Sequence, residues 1–141
     1  MAGYRRAGLA VVLAGCMVAG SANAQALQRS EVLGNWTLRL TPAEDGEGRI
    51  TIKTDSGRVE MRLVVAAQGP SDITCRVDDE PVDCQLRRGA LIITLRLDAA
   101  RMIYTLNGRR TDGFTGNARI NLPLLPFGSM ALGTVAMTPR Q

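Results

Sequence analysis

The chain has 141 residues, of which 45% are hydrophobic and 21% are charged, as is typical of one globular domain. This composition excludes a disordered chain, a collagen and a polytopic membrane protein. Histidine is absent, which excludes His-ligated metals and nucleophiles activated by a histidine base. No phosphate loop, dinucleotide fingerprint or nucleophile elbow is present. The sequence therefore predicts a protein that is not an enzyme and that uses no metal or cofactor.

Residues 1–24 have the features of an export signal. Two arginines near the start precede an apolar run over residues 7–19, and Ala22-Asn23-Ala24 forms a small-x-small cleavage site. The apolar run is too short to span a membrane, since a spanning helix needs about 20 residues. We expect removal of residues 1–24 and a mature chain that starts at Gln25.

A second processing site overlaps the first. The stretch Leu13-Ala14-Gly15-Cys16 resembles a bacterial lipobox, which would leave Cys16 as a lipidated N-terminus. The run continues with Met17 and Val18, whereas a lipoprotein tether is usually polar, so cleavage after Ala24 is favoured. Either site predicts a periplasmic or secreted protein, or an outer-membrane lipoprotein. Membrane attachment is expected only if Cys16 is lipidated.

Two cysteines, Cys75 and Cys84, follow the signal. In an oxidising compartment they have one possible pairing, and a structural disulfide is expected. If the intervening turn spans residues 78–81, Cys75 faces Cys84 directly across an antiparallel hairpin.

From Gly34 onward, apolar and polar residues alternate in short runs separated by turns rich in Gly, Asp and Asn. Residues 25–32 are expected to form one short helical turn before the first run. The predicted strands are Gly34–Leu40, Gly48–Thr54, Arg58–Val65, Ile73–Val77, Val82–Leu86, Leu91–Leu97, Met102–Leu106, Phe114–Ile120 and Ser129–Thr138.

Eight or nine short antiparallel strands need to hide their edges, and closure into a barrel does so completely. We predict an all-β fold, a small up-and-down barrel of about eight strands over residues 34–141, with residues 25–33 as a short N-terminal segment. A sandwich is the alternative. A barrel of this size holds its own side chains or one small ligand.

Both ends of the predicted barrel carry a motif. Gly34-Asn35-Trp36 opens the first strand, and Arg140 follows the last. This pattern resembles the calycin superfamily of lipocalin- and avidin-like barrels. The resemblance implies that Gly34, Trp36 and Arg140 close one end of the barrel, with the guanidinium packed across the indole.

The resemblance also implies an interior that can hold a small apolar ligand. The side chains that we expect to face it are Leu38, Met61, Tyr104 and Phe114, and Ile93 shares their apolar alternation with no assigned role. The chain is shorter than a typical lipocalin.

The segment Leu122–Phe127 is apolar and contains two prolines, so it cannot pair as a central strand. Its apolar side chains either plug the mouth of the barrel, which we favour, or form a partner site. The candidates are Leu122, Leu124, Leu125 and Phe127.

The remaining charged residues indicate solvated surface. Outward arginines could bind an anionic partner, but the acidic residues interspersed among them favour an ordinary solvated sheet face. The outward arginines are Arg39, Arg49, Arg58, Arg62, Arg96 and Arg101. Carboxylates lie mainly in predicted turns, at Asp45, Asp55, Asp78, Asp79, Asp98 and Asp112. Nucleic acid is not an expected partner, because a stacking surface of aromatic residues is lacking.

The sequence predicts an exported envelope protein that holds a small apolar ligand or contacts another envelope protein. One alternative is a periplasmic protease inhibitor of the calycin-like type, with residues 25–32 as the segment that enters the protease. Another is a structural lipoprotein anchored at Cys16.

Overall fold

A computed structural model of the protein describes residues 26–43, 59–123 and 128–141. The predicted export signal, the lipidation site at Cys16 and the predicted strand over residues 48–54 lie outside these ranges. The elements are α1 (Arg29–Val32), β1 (Gly34–Pro42), β2 (Val59–Gln68), β3 (Asp72–Val77), β4 (Glu80–Arg87), β5 (Ala90–Arg96), β6 (Arg101–Arg110), β7 (Gly113–Asn121) and β8 (Ser129–Pro139).

The eight strands form a closed barrel in which each strand pairs antiparallel with the next, and β8 pairs with β1. This confirms the predicted all-β, up-and-down barrel and rules out the sandwich. Because neighbouring strands run in opposite directions, alternate turns lie at opposite ends. We call the end that carries α1 and the β2–β3, β4–β5 and β6–β7 turns the α1 end.

The core lies inside the barrel and follows the alternation of the sequence. In β1, for example, Trp36, Leu38 and Leu40 are buried while Arg39 and Thr41 are exposed. One predicted inward residue is an exception: β5 ends at Arg96, and the Leu97 side chain is 50% exposed. The strand predicted to include Leu97 is therefore one residue too long, because the chain has already entered the β5–β6 turn.

Strand glycines allow close approach of neighbouring backbones in β7 and β8. A Cβ atom on Gly116 would collide with the carbonyl oxygen of Thr105, and one on Gly133 would collide with that of Thr41. These two positions therefore require glycine, because a strand residue with a side chain would force the sheet apart.

The disulfide between Cys75 and Cys84 is formed, with their Cα atoms 5.9 Å apart. The predicted register of this hairpin is wrong: Cys75 pairs with Val82, not with Cys84. The turn has two residues, Asp78 and Asp79, both with positive φ, rather than four. Asp tolerates this left-handed conformation, so the tightest hairpin is available and the strands shift relative to the prediction.

Candidate functional site: the α1 end and the β3–β4 seam

Trp36 lies at the α1 end of the barrel, as the sequence predicts. Its side chain is 8% exposed, and its ring lies 5.6 Å from the ring of Phe114 at a tilt of 57°. The indole Nε1–H donates a hydrogen bond of 2.8 Å to the carbonyl oxygen of Val32. Trp36 thus fills this end of the core and ties the last residue of α1 to β1.

Arg140 reaches the same end, but its observed contact with β1 is through the backbone. Its N–H donates to the carbonyl oxygen of Asn35 at 3.0 Å. Among the described residues, the guanidinium that lies over an aromatic ring belongs to Arg109, 5.8 Å from the Phe114 centroid. Pro139 is the cross-strand partner of Trp36, and Arg140 follows directly after the end of β8. The packing of the Arg140 guanidinium across the indole stays a prediction.

The N-terminal segment, residues 26–32, is fastened across the α1 end. Leu27 and Val32 are buried, and the Leu27 N–H donates to the carbonyl oxygen of Gly89 at 2.8 Å. The Arg29 guanidinium donates to the carbonyl oxygens of Gly69, at 2.7 Å, and Asp72, at 3.0 Å. These contacts join the segment to both the β2–β3 and the β4–β5 turns.

A bidentate ion pair joins α1 to the end of β6. The two terminal nitrogens of Arg109 donate to the two carboxylate oxygens of Glu31, at 3.0 and 2.8 Å. These hydrogen bonds, with a further one from the Gln28 N–H, hold the pKa of Glu31 below its ordinary value. The segment is therefore attached by charge as well as by its apolar side chains.

Gly89 shows how closely the segment approaches the barrel. A Cβ atom at this position would lie 2.5 Å from the Cβ of Ala26, and the backbone of Gly89 has a φ of 74°. Sequence reasoning missed this contact and the pair of Glu31 with Arg109. Residues this far apart in the chain produce no local pattern, so only the three-dimensional structure brings them together.

The predicted interior residues meet inside the barrel. Leu38, Ile93 and Tyr104 are fully buried, Phe114 is nearly so, and Met61 is half-buried. Burial raises the pKa of the Tyr104 phenol to about 12. The phenol oxygen has no hydrogen-bond partner among the described residues. The side chains of the protein itself thus fill the part of the interior that these residues occupy.

The opposite end of the interior is lined by apolar residues that are less deeply buried. Leu95, Met102, Ile120 and Met130 form a continuous row, since each is the cross-strand partner of the next on β5 to β8. Ile120 is 8% exposed, and the other three are half-buried. The end away from α1 therefore has an apolar rim.

The predicted lid or partner patch begins beside this rim. Leu122 is half-buried and packs against the core, and its N–H donates to the carbonyl oxygen of Gly128 at 3.2 Å. Leu124, Leu125 and Phe127 lie outside the described residues, so the predicted plug stays a prediction.

Between β3 and β4 the hydrogen-bonded ladder of the barrel is incomplete. Their ladder contains three residue pairs, from Val77 with Glu80 to Cys75 with Val82, although both strands continue toward the α1 end. On its other side β3 stays paired with β2 as far as Asp72. We call the unpaired stretch between residues 72–74 and 83–87 the β3–β4 seam.

The seam holds backbone groups that would ordinarily belong to a ladder. In an antiparallel hairpin with a two-residue turn, every second residue directs its N–H and C=O toward the partner strand. Counting from the paired Val77 and Glu80, these residues are Ile73 on β3 and Cys84 and Leu86 on β4. A groove of about 380 Å³ lies at this point, lined by Gln68, Ser71, Asp72, Ile73, Cys84, Gln85 and Leu86.

Three of the predicted outward arginines are paired with nearby carboxylates, whereas Arg101 forms no ion pair among the described residues. Arg39 pairs with Glu60, Arg62 with the Asp78-Asp79 turn, and Arg96 with Asp83. All these side chains are about half exposed or more, so each pair contributes at most about 1 kcal/mol. Of the other predicted outward arginines, Arg49 and Arg58 lie outside the described residues.

The described residues contain no cluster of three metal-ligating side chains. Asp98 and Asp112 lie in exposed turns, while Asp45 and Asp55 lie outside the described ranges. Nor does this part of the chain contain a helix long and apolar enough to cross a membrane.

Comparison of the chain with protein-family models, with curated proteins and with solved structures finds no significant match.

Proposed function

We propose that this protein is an exported, calycin-like binding protein of the bacterial envelope, and that it takes up an extended segment of a partner polypeptide at the β3–β4 seam. The disulfide supports an oxidising, exported location. The observation that carries the binding proposal is the early end of the β3–β4 ladder at Cys75 and Val82.

A polypeptide strand is the ligand whose chemistry complements the seam. Ile73 on one side, and Cys84 and Leu86 on the other, present backbone N–H and C=O groups without a ladder partner. An extended peptide offers the same groups at the same spacing, which is the basis of strand addition to a sheet edge. Gln68, Ser71 and Gln85 supply a polar rim for its side chains.

A small apolar ligand is the second candidate, and one observation favours it. The half-buried row of Leu95, Met102 and Met130 lines the interior at the end away from α1. Apolar linings of this type suit small hydrophobic molecules. Against it, Phe114 already fills the interior beside Trp36, and Leu38, Ile93 and Tyr104 are fully buried.

The protease-inhibitor alternative receives less support. A segment that enters a protease cleft needs free apolar side chains, whereas Leu27 and Val32 are buried against the barrel. The hydrogen bonds of Arg29 and the ion pair of Glu31 hold the same segment in place. A lipid anchor at Cys16 would not prevent peptide binding at the β3–β4 seam.

Amide hydrogen exchange in the free protein provides the first test. The N–H groups of Ile73, Cys84 and Leu86 should exchange fast, because no ladder partner protects them. The N–H groups of Ile93 and Leu106, in regular ladders, serve as controls and should exchange slowly. Equal protection at all five positions would show that the seam is closed and would end the proposal.

Selection of peptides on the purified, disulfide-bonded protein provides the second test. A selected peptide should slow exchange at Ile73, Cys84 and Leu86, and Gln85→Pro should weaken its binding through distortion of β4. Asn117→Pro on β7 is the matched control for general damage to the barrel. A peptide whose protection maps to the row of Leu95 and Met102 would instead support the interior ligand site.

A further inference from the structure

Charged side chains are divided unevenly between the ends of the barrel. Of those in the described residues, the α1 end carries six arginines and three carboxylates, and the remainder of the barrel carries six of each. The formal excess of three positive charges therefore lies entirely at the α1 end. The arginines of this end are Arg29, Arg87, Arg88, Arg109, Arg110 and Arg140, and the carboxylates are Glu31, Asp72 and Asp112.

Four of these arginines have no carboxylate partner among the described residues, and one of them, Arg29, donates instead to the backbone carbonyl oxygens of Gly69 and Asp72. Arg109 pairs with Glu31 and Arg110 with Asp112, whereas Arg87, Arg88 and Arg140 form no ion pair there. The first two of the three are exposed at the β4–β5 turn. One nitrogen of the Arg140 guanidinium is enclosed and has no hydrogen-bond acceptor in the described residues. The α1 end thus presents cationic groups that can accept an anion.

Arg88 occupies a position that disfavours its side chain. It forms the tip of the two-residue β4–β5 turn with Gly89 and has a φ of 53°. Gly, Asn and Asp are the residues that tolerate this left-handed conformation, and the β3–β4 turn uses Asp at both such positions. The turn therefore places the arginine side chain, rather than one of these residues, at an exposed tip.

The α1 end is also where the N-terminal part of the chain joins the barrel. Ala26 lies against Gly89 at the β4–β5 turn, so residues 1–25 connect to the barrel beside Arg87 and Arg88. Lipidation at Cys16 would tether the protein to a membrane through this same connection. The start of the described chain at Ala26 therefore lies at the same end as the unpaired Arg87 and Arg88.

We propose that the α1 end docks on the surface of a membrane that contains anionic phospholipids, with Arg87 and Arg88 facing the headgroup phosphates. The charges are spread over the end of the barrel rather than converging on one pocket, which suits a charged surface better than a single free anion. This docking is separate from the proposed peptide site in the β3–β4 seam and does not require lipidation.

Binding to vesicles tests the proposal. The full-length chain is expressed for export with Cys16→Ser, so that no acyl chain at this position contributes. We expect the isolated protein to bind phosphatidylcholine vesicles that contain phosphatidylglycerol, and not vesicles of phosphatidylcholine alone. Added salt should weaken binding, because exposed charges are screened over about 10 Å at 0.1 M salt.

Two double variants separate position from net charge. Arg87→Gln with Arg88→Gln should lower the partition coefficient by roughly fivefold for each arginine removed. Arg101→Gln with Arg119→Gln removes the same charge away from the α1 end and should leave binding within about twofold. Both variants should keep the melting temperature of the parent, since the replaced side chains are exposed.

Three results would overturn the docking proposal: an equal loss of vesicle binding in the two double variants, binding that does not weaken with added salt, and absence of binding to the anionic vesicles. Competition by millimolar inorganic phosphate would also contradict it, because that result indicates a discrete anion pocket. Peptide binding at the seam is measured separately, so its failure leaves this test intact.

Discussion

The two ends of the barrel use the same kind of strand but close in different ways. At the α1 end, Trp36 and Phe114 fill the interior and α1 crosses over them, held by the pair of Glu31 with Arg109. At the opposite end, the apolar row that includes Met102 and Met130 is half-buried. The difference shows that one end is built to be sealed, while the rim of the other has apolar surface that is only partly buried.

The largest expected effect of a substitution is at the sealed end. Trp36→Ala removes a buried ring and its hydrogen bond to Val32, and should lower the free energy of unfolding by about 3–5 kcal/mol. Met130→Ala at the opposite end is the comparison, with an expected loss of about 1–2 kcal/mol because this side chain is half-buried. Urea unfolding of both variants measures the contrast. Equal losses would mean that the two ends contribute alike to stability.

The fold could be predicted from the sequence because alternation is a local property. A strand such as Gly34–Pro42 needs only its own residues to show which face is buried, and closure follows from the need to hide strand edges. The position of Trp36 at one end followed from its place at the start of β1.

The attachment of α1 and the opening of the seam could not be predicted in this way. The contact of Glu31 with Arg109 joins residues 78 positions apart. The register of Cys75 depends on whether the hairpin turn has two residues or four, and the Asp78–Pro81 stretch allows both. Where a long-range contact or the choice between two turns decides the geometry, local patterns carry no information.

The disulfide lies where the β3–β4 ladder ends. Its removal compares the β3–β4 seam, where the strands are unpaired, with the strands that are paired by a regular ladder. Cys75→Ala with Cys84→Ala should lower the free energy of unfolding by about 2–3 kcal/mol, because the bond closes a short loop. The barrel should persist, with its far-ultraviolet circular dichroism unchanged. Faster amide exchange should be confined to β3 and β4, and loss of protection throughout β5 to β8 would contradict a local role.

Tyr104 allows the filled part of the interior to be tested by pH. Its pKa is raised from 10 to about 12 by burial, so the unfolded chain ionises first as the pH rises. The contribution of the buried neutral phenol is present below pH 10 and is lost between pH 10 and about 12, by about 3 kcal/mol.

Tyr104→Phe is the control for this pH dependence. It should flatten the alkaline slope of stability without loss at neutral pH, since the phenol oxygen has no partner to lose among the described residues. Residues 25–141 contain no other tyrosine, so phenolate absorbance reports this group alone after removal of residues 1–24. A phenol that ionises near pH 10 in the folded protein would show that water reaches this part of the interior.

The smallest expected effect concerns the attachment of α1, which distinguishes the sealed end from the opposite end. The Arg109 guanidinium lowers the pKa of Glu31, so the attachment is complete above the ordinary pKa of a glutamate and weakens as the pH falls through the lowered value. Glu31→Gln should mimic the acid state at neutral pH.

The N–H of Leu27, which donates to Gly89, should then exchange faster while the amides of β5 and β6 stay protected. Asp112→Asn is the matched control, because it breaks an ion pair with Arg110 at the same end that does not include α1. If both variants leave exchange at Leu27 unchanged, burial of Leu27 and Val32 holds the segment without help from the charge. In that case the sealed end owes its closure to apolar contacts, and the difference between the two ends is one of packing alone.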